Sequence, residues 1–326
     1  MLGYFNRTHS ELENSWDTFE FLFYVEMATI GVSIVTICFW FSIILTAKNM
    51  HRNVRIINAF YYGQYLIQLC FWAIQPLFIL FGAVDDRNKF SNELFTLSSY
   101  VRIIGMFYAF CALPALVIER SFATFMVEDY EKKPNAAIGI LTVLIQFVTA
   151  FGLGVHFNRA KSTIEHTVGA IIANFFAVVL NKFNERVNSK YYYELDRVTY
   201  SLSERYQITE NIRTARMFDK IVWSIGFFNV IVNACLIIDN FETIPIGIRN
   251  LASVSCDFSI LSYGLIVPVV YYHQTESWKK RVAVVMKGCC KQKVLPLKDT
   301  FGHEMTSQTA GEETTRYFEM LANQWK

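Results

Sequence analysis

Charge is what this sequence has least of. Asp, Glu, Lys and Arg together make up 18% of its 326 residues, against 53% apolar and 16% aromatic. Soluble domains carry about 25% charged residues, so a water-soluble globule is a poor fit and lipid is the expected solvent. Chemical motifs are missing as well. The six histidines are scattered, no His-x-x-His or His-Glu-x-x-His spacing occurs, and there is no glycine-rich phosphate loop. An enzyme is therefore not expected, nor a cofactor, a metal or a nucleic-acid partner. The chain also lacks an internal repeat, a Gly/Ser-rich linker and any soluble segment large enough to fold alone, which leaves one membrane domain.

What is present is a series of uncharged windows. Crossing about 30 Å of hydrocarbon takes roughly 17 to 25 helical residues, and seven windows qualify: 21–47, 56–83, 97–118, 136–157, 164–181, 218–240 and 250–272. The fold class expected is an all-α membrane protein, a seven-transmembrane helix bundle. The fifth window is short on apolar residues and is expected to continue past Asn181 as a polar helical extension. The first lacks a basic leader and is about twice as long as a secretory hydrophobic core, so a permanent helix is expected rather than a signal peptide.

Lys and Arg set the orientation. The loop after the first window holds Lys48, Arg52 and Arg55, and the loop after the third holds Arg120, Lys132 and Lys133. Between the fifth and sixth there are eight, Lys220 included, and after Tyr272 there are nine. The alternate compartments share six: Arg7, Arg87, Lys89, Arg159, Lys161 and Arg249. With 23 cations on one side, six on the other and Arg102 inside a window, the N-terminus is expected outside and the C-terminus inside. The single Asn-x-Ser/Thr triplet, Asn6-Arg7-Thr8, falls in the segment so placed outside, where glycosylation can reach Asn6. The expected division is an extracellular tail at 1–20, the helical domain at 21–272, an amphipathic juxtamembrane segment at 273–290 and a flexible cytoplasmic tail at 291–326.

Cys38, Cys70, Cys111, Cys235 and Cys256 lie within windows and suit small apolar packing roles. Cys289 and Cys290 follow a short basic amphipathic segment, Ser277 to Met286. They are either lipidated thiols at the end of a helix on the inner leaflet or two free cytosolic thiols. Between the fifth and sixth windows, Glu204 with Arg205 and Glu210 with Arg213 read as charge-paired helical extensions, with Ser201 or Ser203 as caps.

Glu119 and Arg120 close the third window at its inner mouth. A long arginine can simply snorkel to the headgroups there. Seven windows, an external N-terminus, this acid-Arg pair and Pro268-Val269-Val270-Tyr271 near the inner end of the seventh together resemble the pattern of a G-protein-coupled receptor. A narrower resemblance lies in two cytoplasmic blocks. Glu119-Arg120-Ser121-Phe122-Ala123-Thr124 with Asp129-Tyr130-Glu131-Lys132-Lys133-Pro134, and Tyr200-Ser201-Leu202-Ser203-Glu204-Arg205-Tyr206-Gln207 with Glu210-Asn211, are similar to signatures of the nematode serpentine receptors of class epsilon, the Sre chemoreceptors. That likeness runs from the first window to the basic segment after the seventh. It implies a multi-pass chemosensory receptor of the plasma membrane in sensory neurons, with a small-molecule chemical ligand, membrane lipid around it and a heterotrimeric G protein as partner.

The same resemblance implies a resting contact for Arg120 with Glu119 and with an acid at the base of the sixth helix, Glu210 or Asp219. Outward movement of that helix would free the guanidinium for a Gα subunit, with Tyr271 swinging inward and Pro268 breaking the seventh helix. The chain departs from the rhodopsin-like pattern in several places. No cysteine stands at the outer end of the third window or at 158–163, the second has no acidic residue, the fourth no tryptophan and the sixth no proline, and Val267 precedes Pro268. The usual disulfide, a sodium site and a proline-hinged sixth helix are accordingly not expected.

Ionisable residues inside spans cost roughly 2.5 to 3.5 kcal/mol near a helix centre and so mark functional candidates. Glu26 is close enough to the outer end of its window to be read as interfacial. Arg102 lies about five turns before Arg120, and Asp257 about three turns before Pro268. Both therefore fall in the outer half of the bundle, where rhodopsin-like receptors line their ligand cavity. The expectation is an Arg102–Asp257 ion pair in a cavity also lined by Tyr100, Met106, Phe107 and Ser253, open to a ligand with a carboxylate or carbonyl. A purely structural bridge, or a snorkelling Arg102, is the alternative. His156 and His166 either touch ligand or pack at the interface. A multi-span transporter or a channel subunit is the alternative function. Seven dissimilar spans without an inverted repeat give a transporter little support, and a seven-helix channel would place its N-terminus inside.

Overall fold

A computed structural model describes residues 5, 7–46, 52–81, 89–126, 136–160, 162–194, 202–241 and 243–285. Seven helices among them are long and apolar enough to cross a membrane: Trp16–Thr46, Arg52–Phe81, Asn92–Phe125, Ala137–Arg159, Ile164–Tyr192, Asn211–Asn240 and Ile246–Gln274. They are called the first to seventh spans below. The expected extension of the fifth is present, its helix continuing to Glu194. The sixth belongs to a helix that starts at Leu202.

The second span is broken into Arg52–Trp72 and Ile74–Phe81. Pro76 accounts for the break, because it has no N–H for the Trp72 carbonyl four residues back. Pro114 lies inside the third span without ending it. The carbonyl it releases, that of Phe110, is taken up by Asn174 of the fifth span, whose Nδ2 donates to it at 3.3 Å. In lipid such a carbonyl has to be satisfied by a neighbouring helix.

The helices pack as a closed bundle in which the third span is central. It meets the second, fourth, fifth and sixth, and 67% of its apolar window is buried, against 22% for the fifth. Packing without a hydrophobic drive between helices favours small residues at crossings. A Cβ on Gly154 would lie 2.9 Å from the Ile104 Cα, and one on Gly105 would overlap the Gln68 side chain. The third and fourth spans, and the second and third, approach as closely as they do because these positions are glycine. Outward faces stay apolar, with Val35, Val148 and Val230 about 70% exposed, as suits a surface solvated by acyl chains.

The segment before the first span is more structured than a simple tail. Arg7–Leu12 is helical, and Asn14 makes the following turn at φ 53°, a left-handed conformation that asparagine tolerates. Arg7 donates from Nη1 to the Ile79 and Leu80 carbonyls at 2.9 and 3.1 Å and so caps the end of the second span. Trp16 already belongs to the first span, which therefore begins five residues before the expected boundary at 21. After the seventh span, Glu276–Val285 is helical. Trp278 is fully buried, stacked on Trp40 and Tyr271 at 5.4 Å each. The Asn6 sequon, Cys289 and Cys290 lie outside the described residues.

Candidate functional site

Two buried polar clusters stand at opposite ends of the third span. The first is built on Arg102. Its Nη1 donates to both Asp257 carboxylate oxygens at 3.1 Å, joining the third and seventh spans. Arg102 is 6% and Asp257 7% exposed. A guanidinium this far from water needs such a partner, since the desolvation of each charge costs several kcal/mol. The Arg102 guanidinium carbon also lies 5.6 Å from the centre of the Trp72 ring, a cation–π distance. Trp72 in turn donates its indole N–H to Glu26 Oε1 at 3.0 Å. Gln68 donates to the Arg102 backbone carbonyl at 3.2 Å.

Glu26 is the main correction here. The sequence suggested an interfacial acid, but the residue is fully buried, because the first span starts earlier than expected and carries Glu26 nearly three turns into the bundle. The cluster thus holds two carboxyl groups for one guanidinium, drawn from the first, third and seventh spans, with Trp72 of the second between them.

The other expected lining residues are only partly brought together. Met106, one turn after Arg102, is buried on the same face, and Ser253 stands one turn before Asp257 and is half-buried. Tyr100 is half-buried, but two residues from Arg102 it points to a different face. Phe107 turns away from the ion pair, toward Phe157 at 5.5 Å and His166 at 5.9 Å between the fourth and fifth spans. His156 and His166 share a hydrogen bond of 2.8 Å. The void beside Met106, lined also by Ser259 and Tyr263, is about 20 Å³, room for about one water molecule.

The second cluster is built on Arg120. Glu119 and Arg120, 0% and 4% exposed, form a two-pronged pair with Nε at 2.5 Å and Nη2 at 2.6 Å from the carboxylate. The third prong, Nη1, reaches Asn211 Oδ1 of the sixth span at 3.5 Å. Asn211 donates to the Ala123 carbonyl at 3.1 Å and to Asn188 Oδ1 at 3.2 Å. Asn188 donates to Thr124 Oγ1 and Asn184 to Ser121 Oγ, both at 2.8 Å. A layer of neutral amides and hydroxyls therefore links the third, fifth and sixth spans around the guanidinium.

Asp219 is not the holder of Arg120 that the sequence suggested. Lys182 and Asn181 of the fifth span engage it, Asn181 at 3.0 Å. The Glu210 side chain lies outside the described residues. Tyr271 is packed under Trp278 at 3% exposure.

Sequence reasoning placed Glu26 at the interface and missed Trp72 and the asparagines. The asparagines did leave a signal. Asn174, Asn181 and Asn188 recur every seven residues on the fifth span, which is two helical turns, so they form one inward stripe.

The family model described as "Sre G protein-coupled chemoreceptor" matches residues 5–326. Serpentine receptor class epsilon-13 of Caenorhabditis elegans is 29% identical over 348 residues, covering 99% of this chain and 96% of that protein. Serpentine receptor class epsilon-12 of the same organism is 27% identical, covering 100% and 99%. Among solved structures, squid rhodopsin superposes with a TM-score of 0.63 over 90% of this chain and 93% of that one, at 10% identity. A likeness at that identity speaks for the fold, a rhodopsin-like seven-helix bundle.

Proposed function

This chain belongs to the Sre family of G protein-coupled chemoreceptors, and from that premise we propose that it is a chemosensory receptor of the plasma membrane in sensory neurons. The amino end lies outside and the carboxyl end in the cytosol, a reading supported by the 23-to-six partition of Lys and Arg. The Arg102 cluster is then the outer, ligand-facing site and the Arg120 cluster the inner, G-protein-facing one.

At the outer site a small molecule competes with Asp257 for the Arg102 guanidinium. With two carboxyl groups already beside it, a ligand carbonyl fits better than a carboxylate. Exchange of the Arg102–Asp257 contact alters the tie between the third and seventh spans, and the ligand shifts the equilibrium only by its differential affinity for the two arrangements. At the inner site the sixth span moves outward, Asn211 leaves Arg120, and the guanidinium becomes available to the heterotrimeric G protein. The observation that carries this reading is the 3.5 Å contact from Arg120 to Asn211: a buried guanidinium, charge-paired within its own helix, meets the sixth span through a hydrogen bond at the long end of the range.

The test is guanine-nucleotide exchange by purified Gα subunits on the reconstituted receptor. Wild-type protein is expected to accelerate exchange above the rate of Gα alone, and Arg120→Ala to return it to that rate. Equal acceleration by both proteins would remove Arg120 from the coupling surface.

A further inference from the structure

Halfway between the two clusters, a cleft opens between the fifth and sixth spans. Its volume is about 480 Å³, within the range of small-molecule pockets. Phe110 and Leu113 of the third span form its floor. Phe175 and Val230 stand on its rim at 63% and 70% exposure, on the face that looks into lipid. An apolar molecule dissolved in the bilayer can therefore enter sideways without crossing water.

Two amides mark the walls. Asn174 spends both N–H groups on carbonyls, the Phe110 oxygen released by Pro114 at 3.3 Å and Ala170 at 2.9 Å. That fixes which way its amide points and leaves Oδ1 as an acceptor, buried and without a donor among the described residues. Across the cleft, Asn233 of the sixth span is 8% exposed, and its Oδ1 likewise has no donor among the described residues. A buried carbonyl left without a donor costs roughly 1 to 3 kcal/mol, a cost that a bound donor would remove. A charged donor is disfavoured at this depth, whereas a neutral hydroxyl is not.

We propose that this cleft is a binding site for a neutral apolar molecule bearing a hydroxyl group, taken up laterally from the bilayer, with Asn233 Oδ1 accepting the hydroxyl proton. The site is separate from the Arg102 cluster and does not depend on its role. The hydroxyl can be that of a membrane sterol or of a small alcohol partitioned into the lipid.

The test uses the full chain in phosphatidylcholine nanodiscs with three photoreactive diazirine probes: a decanol, the matching hydroxyl-free alkane and a sterol. Labelled peptides are mapped by mass spectrometry. The hydroxyl-bearing probe that fits should label segments 110–113, 171–178 and 226–237, with the alkane about fivefold weaker, the worth of about one hydrogen bond. Preference for the sterol names a bilayer lipid as the source, and preference for decanol names a partitioned small molecule. Asn233→Leu should cut labelling by a similar factor of about five. Gly226 lines the cleft, and a Cβ there meets nothing within 4 Å, so Gly226→Leu fills the space without disturbing the backbone and should abolish labelling. That variant decides the matter if Asn233→Leu does not fold. Equal labelling by alkane and alcohol, or labelling that survives Gly226→Leu, would overturn the proposal.

Discussion

The third span carries two buried arginines about five turns apart, and their neighbours treat them in opposite ways. Arg102 finds its carboxylate on another helix, Asp257 of the seventh span. Arg120 finds its carboxylate next door in the sequence, on Glu119, and among the described contacts it meets the neutral Asn211 of the sixth span. Both charges are compensated, Arg102 across two helices and Arg120 by its neighbour on the same helix. Breaking a buried ion pair by removing one partner costs about 3 to 5 kcal/mol, whereas a hydrogen bond from a charged group contributes about 1.5 to 3 kcal/mol, and the Arg120–Asn211 contact is stretched to 3.5 Å. The third and seventh spans are thus joined by a buried ion pair at the Arg102 end, while at the Arg120 end the third and sixth are joined by hydrogen bonds through Asn211. In the proposed mechanism the sixth helix moves, and because the coupling free energy a ligand supplies is typically about 1 to 3 kcal/mol, the tie it loosens has to be the weaker one.

Three substitutions probe this difference. Asp257→Ala leaves the Arg102 guanidinium buried beside Glu26 alone, and is expected to lower stability by about 3 to 5 kcal/mol. Thermal unfolding of the detergent-solubilised protein should register this as a large drop in midpoint, with loss of surface expression. A midpoint within a degree or two of wild type would mean that the tie is not an anchor. Asn211→Ala removes the weak tie. It also removes the hydrogen bonds to the Ala123 carbonyl and Asn188, so it should lower stability by about 1 to 3 kcal/mol while raising ligand-independent nucleotide exchange several-fold, and an unchanged basal rate would show that the Asn211 contacts do not restrain the sixth span. Lys182→Ala removes the partner of Asp219, a cation about half exposed. Exposed pairs contribute about 0 to 1 kcal/mol, so both the midpoint and the exchange rate should stay close to wild type. A large effect there would move the lock on the sixth span from Asn211 to Asp219.

These contrasts were unevenly legible in the sequence. The seven spans follow from hydropathy and length, and two opposite charges within lipid-embedded windows all but require a partner, so Arg102 and Asp257 could be matched before any packing was known. Glu26 could not be placed the same way. Whether an acid near a span's outer end reaches water depends on where the helix starts and which neighbours cover it, and the folded segment Arg7–Leu12 lies before that start. The holder of Arg120 was sought among acids because a cation invites that search. Asp219 is engaged by Lys182 and Asn181, while Arg120, its charge met by Glu119, reaches the neutral Asn211; the Glu210 side chain lies outside the described residues.

Composition and the placement of cations were enough to determine a seven-span membrane bundle, and the blocks around Glu119–Arg120 and Tyr200–Asn211 pointed to the Sre family. Hydrophobic length and local motifs are properties of contiguous residues, which is why a linear reading recovers them. Which faces meet was decided only in three dimensions: the burial of Glu26 beneath Trp72, the turn of Phe107 away from the ion pair, the repair of the Pro114 break by Asn174, and the cleft beside it. Each depends on how one helix is rotated against another, and that rotation is fixed by the fit of glycines, amides and aromatic rings across several spans at once rather than by any single stretch of chain.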